Sequence, residues 1–308
     1  MSTIKTKVKP EEVVAFLKKN FDSNISSVNF LKGGELSQAC SFSTPDNKFI
    51  IRINKNRKTY DKDKYAFEHF ANVNIPIPEI LEIGQFNENL FFAISKMAKG
   101  KTFDELDKET TLKLLPKMIN TLDEIHNMKI KDDKYGYWGG LGRAAISSWK
   151  EFMLHRDDKL VNTHPEDDLI QKLHQSIQNL VIYLPEGSYL VHGDYGFNNL
   201  VTDGEIITGV LDWGESVYGD FIYDLAWLTF WPSEIDFADV FKKHYQDIGK
   251  KVDHFEERLR CYQLQIGLGS LGFFAKSEQK DDYDWTKDKL LQMLDNIPQK
   301  SGSTSSPL

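Results

Sequence analysis

The spacing of apolar residues changes once along this chain, near residue 100. Before that point the apolar runs are short or alternate with polar positions. Val28–Leu31, Ala39–Ser43, Phe49–Ile53, Ile80–Gly84 and Leu90–Ser95 read as strands. Pro45-Asp46-Asn47-Lys48 marks a hairpin between the second and third, and Gly33-Gly34 marks a turn between the first two. A helix from Pro10 to about Asn20 opens on Glu11 and Glu12 and closes near Lys18 and Lys19, which suits the helix dipole. Asp61–Phe70 reads as a second helix, stopped by Ile75-Pro76-Ile77-Pro78 because each proline biases its predecessor toward extended backbone.

After Met97-Ala98-Lys99-Gly100 the period lengthens to that of helices. Leu115, Ile119, Leu122 and Ile125 share one face of Leu112–Met128. Trp149–His155, Leu169–Leu180, Phe221–Phe230, Phe237–Ile248, Phe255–Phe274 and Thr286–Ile297 follow. Only Ser188–Val191 and Ile206–Leu211 interrupt them as short strands. The expected fold is therefore α+β and bilobal. Residues 1–95 form a small antiparallel-sheet lobe, 96–101 a hinge, and 102–300 a mostly helical lobe. The tail 301–308, made of Ser, Gly, Thr, Pro and Leu, is expected to be disordered.

Composition narrows the class. The 308 residues are 40% hydrophobic and 27% charged, a globular balance, and the net charge of -8 argues against a nucleic-acid partner. No uncharged apolar run approaches the roughly 18 residues of a membrane span. Met1–Glu12 is polar and unlike a signal peptide. These features predict a cytoplasmic monomer with no membrane partner. Cys40 and Cys261 are too few for a metal site and read as buried thiols.

The chemistry concentrates between His192 and Asp212. His192-Gly193-Asp194-Tyr195-Gly196-Phe197-Asn198-Asn199 leads through a polar turn to Gly209-Val210-Leu211-Asp212. Two Asp residues and one Asn at strand ends can put a proton acceptor beside two magnesium ligands, the set needed to move the γ-phosphoryl of ATP to a hydroxyl. Asp194 is the candidate base. Asn199 and Asp212 offer hard oxygens to Mg2+. Taken singly, each has an ordinary use as a turn cap, an Asx turn or a loop acid.

Nucleotide-side candidates are Ser37, after the Gly33-Gly34 turn, and Arg52, on the polar face of its strand. Arg52 needs an acid from the next helix, Asp63 in preference to Glu68. Backbone groups at Lys96 and Met97 are expected to meet the purine base, ATP with GTP left open. His192 and Asp220 read as braces of the catalytic loop, with Asp220 accepting backbone N–H groups as a helix cap does. His126 reads as a satisfied packing residue.

The segments His192-Gly193-Asp194 through Asn199, Leu211-Asp212-Trp213, and Gly219-Asp220-Phe221-Ile222-Tyr223-Asp224 resemble the aminoglycoside phosphotransferase family, relatives of the protein kinases. Arg52-Ile53-Asn54, Ile75-Pro76-Ile77-Pro78-Glu79, Tyr135-Gly136, Glu215 and Phe230-Trp231 are similar to its hygromycin B phosphotransferases, over about Val13 to Phe274. The resemblance implies a protein-kinase-like fold, ATP and Mg2+ as cofactors, and transfer to a hydroxyl of a cationic aminocyclitol antibiotic, hence drug inactivation. It gives Asp194 the role of base and Asn199 and Asp212 those of metal ligands. The broad family carries Lys and Glu where Arg52 and Asp63 stand, so whether Arg52 contacts phosphate stays open.

A cationic acceptor calls for acidic and aromatic contacts from the helical lobe. Tyr137, Trp138, Glu215, Trp231, Glu234 and Asp236 are the candidates. Two alternatives remain: the same fold acting on another hydroxylated amine, amino alcohol or sugar, and a kinase-like module without turnover.

Overall fold

In the computed structural model, which describes residues 5–31 and 36–295, two hydrophobic cores form, and the boundary between them decides where the chemistry sits. The first is built by a five-stranded antiparallel sheet. Its strands are β1 (Ser26–Phe30), β2 (Gln38–Ser43), β3 (Lys48–Asn54), β4 (Ile80–Asn87) and β5 (Leu90–Lys96), in the order β1-β2-β3-β5-β4. Alternation along β3 buries Phe49, Ile51 and Ile53 and turns Arg52 to the opposite face. Helix α1 (Pro10–Asn20) covers the apolar face with Val13 and Leu17, against Cys40, Phe42 and Phe92. Both cysteines are buried and unpaired.

Helix α2 (Arg57–Phe70) lies between β3 and β4 in sequence, yet its buried Ala66 and Phe70 join the second core, with Ile75 and Ile77. It starts a turn earlier than the apolar pattern predicts because the Asn56 side chain accepts from Lys58 N at 3.1 Å. The same reason extends α3 (Lys108–His126), which Asp107 caps. The same core takes in α4 (Trp149–His155), α5 (Asp158–Thr163), α6 (Asp168–Leu180), α7 (Ile222–Phe230), α8 (Phe237–Asp247), α9 (Phe255–Ser277) and α10 (Lys280–Asp295), with α6, α7 and α10 packed on α9.

Two three-stranded sheets thread this helical core. One holds β6 (Lys101–Thr102), β9 (Leu200–Thr202) and β10 (Ile207–Val210); the other holds β7 (Gly136–Tyr137), β8 (Tyr189–Val191) and β11 (Val217–Gly219). The sequence pattern misses β6, β7, β9, β11 and α5, which are too short to show a period. It places the start of α10 six residues late, because the first turns of that helix are mostly charged. Gly33-Gly34-Glu35, Ile297 and the tail 301–308 lie outside the described residues. Among those described, no helix is long and apolar enough to cross a membrane.

Candidate active site

Strand β8 delivers His192 and Gly193 to the site. Gly193 sits at φ +82°, and a Cβ there would meet the Glu215 carbonyl oxygen at 2.3 Å, so the position requires glycine. His192 Nε2 donates to Leu211 O at 2.9 Å, and Nδ1 accepts from Asp194 N at 3.3 Å. Burial lowers the imidazole below its ordinary pKa, which suits this neutral, two-bonded role.

The acid that braces the loop is Asp224, where Asp220 was expected. Asp224 accepts from His192 N at 3.0 Å and Gly193 N at 2.7 Å, while His126 Nε2 lies 2.9 Å from it. Asp220 is fully buried and occupied elsewhere. Arg258 Nε and Nη2 reach it at 2.8 and 2.5 Å, Tyr262 Oη at 2.7 Å, and Ile222 N at 3.2 Å. It accepts one backbone N–H, at the start of α7, and otherwise ties α7 to α9. Its distance in sequence from Arg258 and Tyr262 hid this use.

Asp194 receives the Asn199 amide nitrogen on its carboxylate at 2.8 Å and on its carbonyl at 2.9 Å. Both bonds use nitrogen, which orients the amide oxygen, a hard ligand, away from them. Burial, then the nearby Asp212 charge, raise the Asp194 pKa to about 8 against the pull of the Asn199 bond. Leu211 N donates to Asn199 O at 2.8 Å and so sets the end of β10 beside Asn199. The next residue, Asp212, has φ +57°, a left-handed conformation that turns the chain sharply and exposes the carboxylate.

Arg52 bonds Asp63, while Glu68 pairs instead with Lys64 on the surface. Burial opposes the Arg52 charge, but Asp63 and Asp212 outweigh it and hold the guanidinium above its ordinary value. Asp63 also accepts from Trp213 N at 2.8 Å, linking Arg52 to the residue after Asp212. Ser37 accepts from Asn54 Nδ2 at 3.1 Å. The N–H groups of Lys96 and Met97 bond Glu79 O and Lys48 O, and both residues line a pocket of about 360 Å³ at the hinge with Ile77, Ala98 and Lys99, where the backbone contact to a base was expected.

The acceptor candidates divide. Tyr137 is partly exposed and donates its hydroxyl to Glu215 at 3.1 Å. Trp138 is a core residue, 1% exposed, packed on Tyr65 and stacked on Tyr218. Alternation through β7 explains the pair: one residue out, the next in. Trp231 stacks on Trp285 at 5.9 Å and meets Trp227 edge-on at 5.4 Å. Trp227 lies beside the catalytic loop, its Nε1 3.8 Å from a Cβ placed on Gly196. Glu234 pairs with Lys108 at 2.6 Å on the surface, and Asp236 caps α8 through Asp239 N. Each of these two acids thus has a local partner, an exposed lysine for Glu234 and a helix N-terminus for Asp236.

Lys62, Arg156, Trp227 and Trp285 escape a reading of the sequence, as does the bracing role of Asp224. The Arg156 guanidinium lies over the Tyr137, Phe152 and Tyr223 rings and bonds Tyr223 Oη. A pocket of about 470 Å³ opens between α2 and Gly140-Leu141, lined by Asp61, Lys64, Tyr65 and Glu68. None of the candidate catalytic groups lines it, so its size carries less weight than the hydrogen-bonded set around Asp194.

Among the described residues no three His, Cys, Asp or Glu side chains cluster to cage a metal. Asn199 and Asp212 fit magnesium all the same, since that ion usually takes one or two protein oxygens and fills its shell with phosphates and water.

The Phosphotransferase enzyme family, APH, matches residues 27–256. The chain belongs to this family. It is 31% identical over 290 residues to the hygromycin-B 4-O-kinase of Escherichia coli, covering 91% of this chain and 84% of that protein. A thermostable mutant of APH(4)-Ia, solved with AMP-PNP and hygromycin B, superposes with a TM-score of 0.82 at 29% identity, covering 92% of this chain and 98% of that one. The GDP complex of aminoglycoside 2'-phosphotransferase-IIIa shares the fold alone, with a TM-score of 0.70 at 15% identity over 94% of this chain and 99% of that one. The chain thus has the protein-kinase-like fold of a phosphotransferase.

Proposed function

We propose that this phosphotransferase moves the γ-phosphoryl group of ATP to a hydroxyl of hygromycin B and so inactivates the antibiotic. The observation that carries the reading is the Asp194–Asn199 pair set beside Asp212, on a chain similar to a hygromycin-B 4-O-kinase over most of its length. Its acceptor side, with Glu215, Tyr137 and the Trp227–Trp231–Trp285 cluster, suits a polar cation.

Asp194 takes the proton of the attacking hydroxyl and orients its lone pair. The Asn199 bond fixes that carboxylate, and Asp224 holds the backbone beneath it. Arg52 faces the phosphate tail from the sheet and is kept in place by Asp63. Asn199 and Asp212 would hold Mg2+, which would neutralise phosphate charge and favour ionised Asp194. Glu215 draws the cationic acceptor toward Asp194, with Tyr137 holding its carboxylate. The nucleotide lies at the seam between the 1–95 lobe and the helical lobe, near the 96–101 hinge. We further propose that the protein works as a monomer in the cytoplasm, where ATP is supplied.

The test is an ATP-consumption screen of purified protein against hygromycin B, other aminoglycosides and small amino alcohols. Mass spectrometry then looks for one added phosphate. Hygromycin-dependent turnover is expected. Turnover with an amino alcohol or sugar and none with hygromycin B would replace the acceptor and keep the chemistry.

A further inference from the structure

Lys62 is 6% exposed, yet among the described residues no carboxylate comes within ion-pair distance of it. A lysine so buried needs other partners, because an unpaired ammonium out of water is costly. Its Nζ donates to Gly214 O at 2.7 Å and to Ser216 O at 2.8 Å. The ammonium also lies 4.7 Å from the Trp138 ring centre and 5.5 Å from that of Tyr137. These two bonds bracket Glu215. The Glu215 carbonyl itself faces the other way, against Gly193 of the catalytic loop.

The next residue on α2, Asp63, holds Trp213 N at 2.8 Å. Two adjacent side chains of one helix thus grip the turn Trp213–Ser216 at three backbone atoms. That helix is anchored in turn by Ala66 and Phe70 in the helical core. The turn begins at Asp212 and contains Glu215.

We propose that Lys62 is a positioning residue: its grip on Gly214 and Ser216 fixes, together, the magnesium ligand Asp212 and the acceptor acid Glu215. Lys62 thereby couples the two halves of the reaction without touching either substrate. The charge environment agrees. Burial lowers the Lys62 pKa to about 8, against attraction from the Glu215, Asp63 and Asp212 charges.

The acceptor half of this inference rests on the function proposed above; the magnesium half does not. Four variants test it: Lys62→Met, Lys62→Gln, Lys62→Arg, and Lys64→Met as a control on the solvent side of the same helix. The first measurement is AMP-PNP binding with and without magnesium. Lys62→Met is expected to weaken the magnesium-dependent part about tenfold, the low end for losing a residue that orients a ligand. Magnesium-free binding should stay within about twofold, which also reports that the variant is folded. Lys62→Gln, with donors but no charge, should fall between, Lys62→Arg should recover part of the loss, and Lys64→Met should match wild type.

The second measurement is the acceptor KM with hygromycin B, expected to rise about tenfold in Lys62→Met. In a Glu215→Gln background the same substitution should add little, because its route to the acceptor is gone. Wild-type magnesium dependence in both Lys62→Met and Lys62→Gln would overturn the inference. So would equal loss of AMP-PNP binding with and without magnesium, or an undiminished effect in the Glu215→Gln background. If wild type ignores hygromycin B, the acceptor reading falls and the magnesium arm alone decides the role of Lys62.

Discussion

The sheet core and the helical core are stabilised by different means. Val13, Leu17, Cys40, Phe42, Ile51, Ile53 and Ile94 fill the first with apolar groups. The second contains buried ions and polar rings: Asp220 with Arg258, and Asp224 with His126 and the His192-Gly193 backbone. Apolar packing tolerates small shifts, whereas a buried carboxylate must keep its particular donors. The half that places Asp194 therefore adds buried hydrogen bonds to a large apolar core, whereas the half that carries Arg52 relies chiefly on hydrophobic burial. Helix α2 stands with the former although its sequence neighbours are strands of the latter. The Arg52–Asp63 bond then crosses from one core to the other, which is where a cleft can close on a nucleotide.

If the polar half is the more specified one, its buried acid must matter most to stability. Asp224→Ala removes the acceptor of two backbone N–H groups and a histidine. It should cost about 3–5 kcal/mol in urea unfolding, the range for breaking a buried charged network. Arg52→Ala at the seam should cost less, about 2–3 kcal/mol, because Arg52 keeps 21% exposure although its loss strands the buried Asp63 carboxylate. Equal costs would erase the distinction between the halves.

Catalysis supplies the next contrast. Asp194→Asn keeps the shape of the loop and removes the proton acceptor, so kcat should fall roughly 100-fold or more while AMP-PNP affinity holds. Asp63→Asn acts at the seam and should do the reverse. The expected result is a KM for ATP raised about tenfold, roughly 1.4 kcal/mol, with a smaller change in kcat. A kcat defect in Asp63→Asn as large as that of Asp194→Asn would place the seam inside the chemical step.

What a sequence shows about such a site depends on how far apart its contacts lie. Asp194, Asn199 and Asp212 are close in the chain and have strong spacing constraints, so their grouping was legible. So were the five strands of the first sheet, through alternation, and α3, through its apolar stripe. Alternation also held the clue to Trp138, which follows an outward residue of a short strand and must point in. Lys62 and Ser216 stand 154 positions apart. No local pattern marks such a contact, and the adjacent Asp63 absorbs the attention. Asp224 was read as part of a motif, but its two backbone partners precede it by about 30 residues, beyond any helical or strand period. Glu234 and Asp236 pose the opposite problem: acids after a catalytic motif look purposeful, and here a lysine and a helix N-terminus are their partners.

The smallest effect concerns how tightly α2 is bound to the polar half, and it can be read from pH alone. Burial lowers the Lys62 pKa from 10.5 to about 8 in the folded protein. Between those values the unfolded chain holds a proton that the folded chain has released, so stability attributable to Lys62 rises with pH across that window. Below about pH 8 both states are protonated, and the folded state bears the full cost of burying the charge. The measurable quantity is the unfolding free energy of wild type minus that of Lys62→Met, which cancels the tyrosines that titrate nearby. It should move in favour of wild type by roughly 1 kcal/mol from pH 8 to pH 10.5, less than full burial implies because the ammonium is held by two carbonyls. A flat difference would mean that Lys62 keeps its charge as easily as a surface lysine, that α2 lifts from the Trp213–Ser216 turn in solution, and that the helix goes with the sheet core.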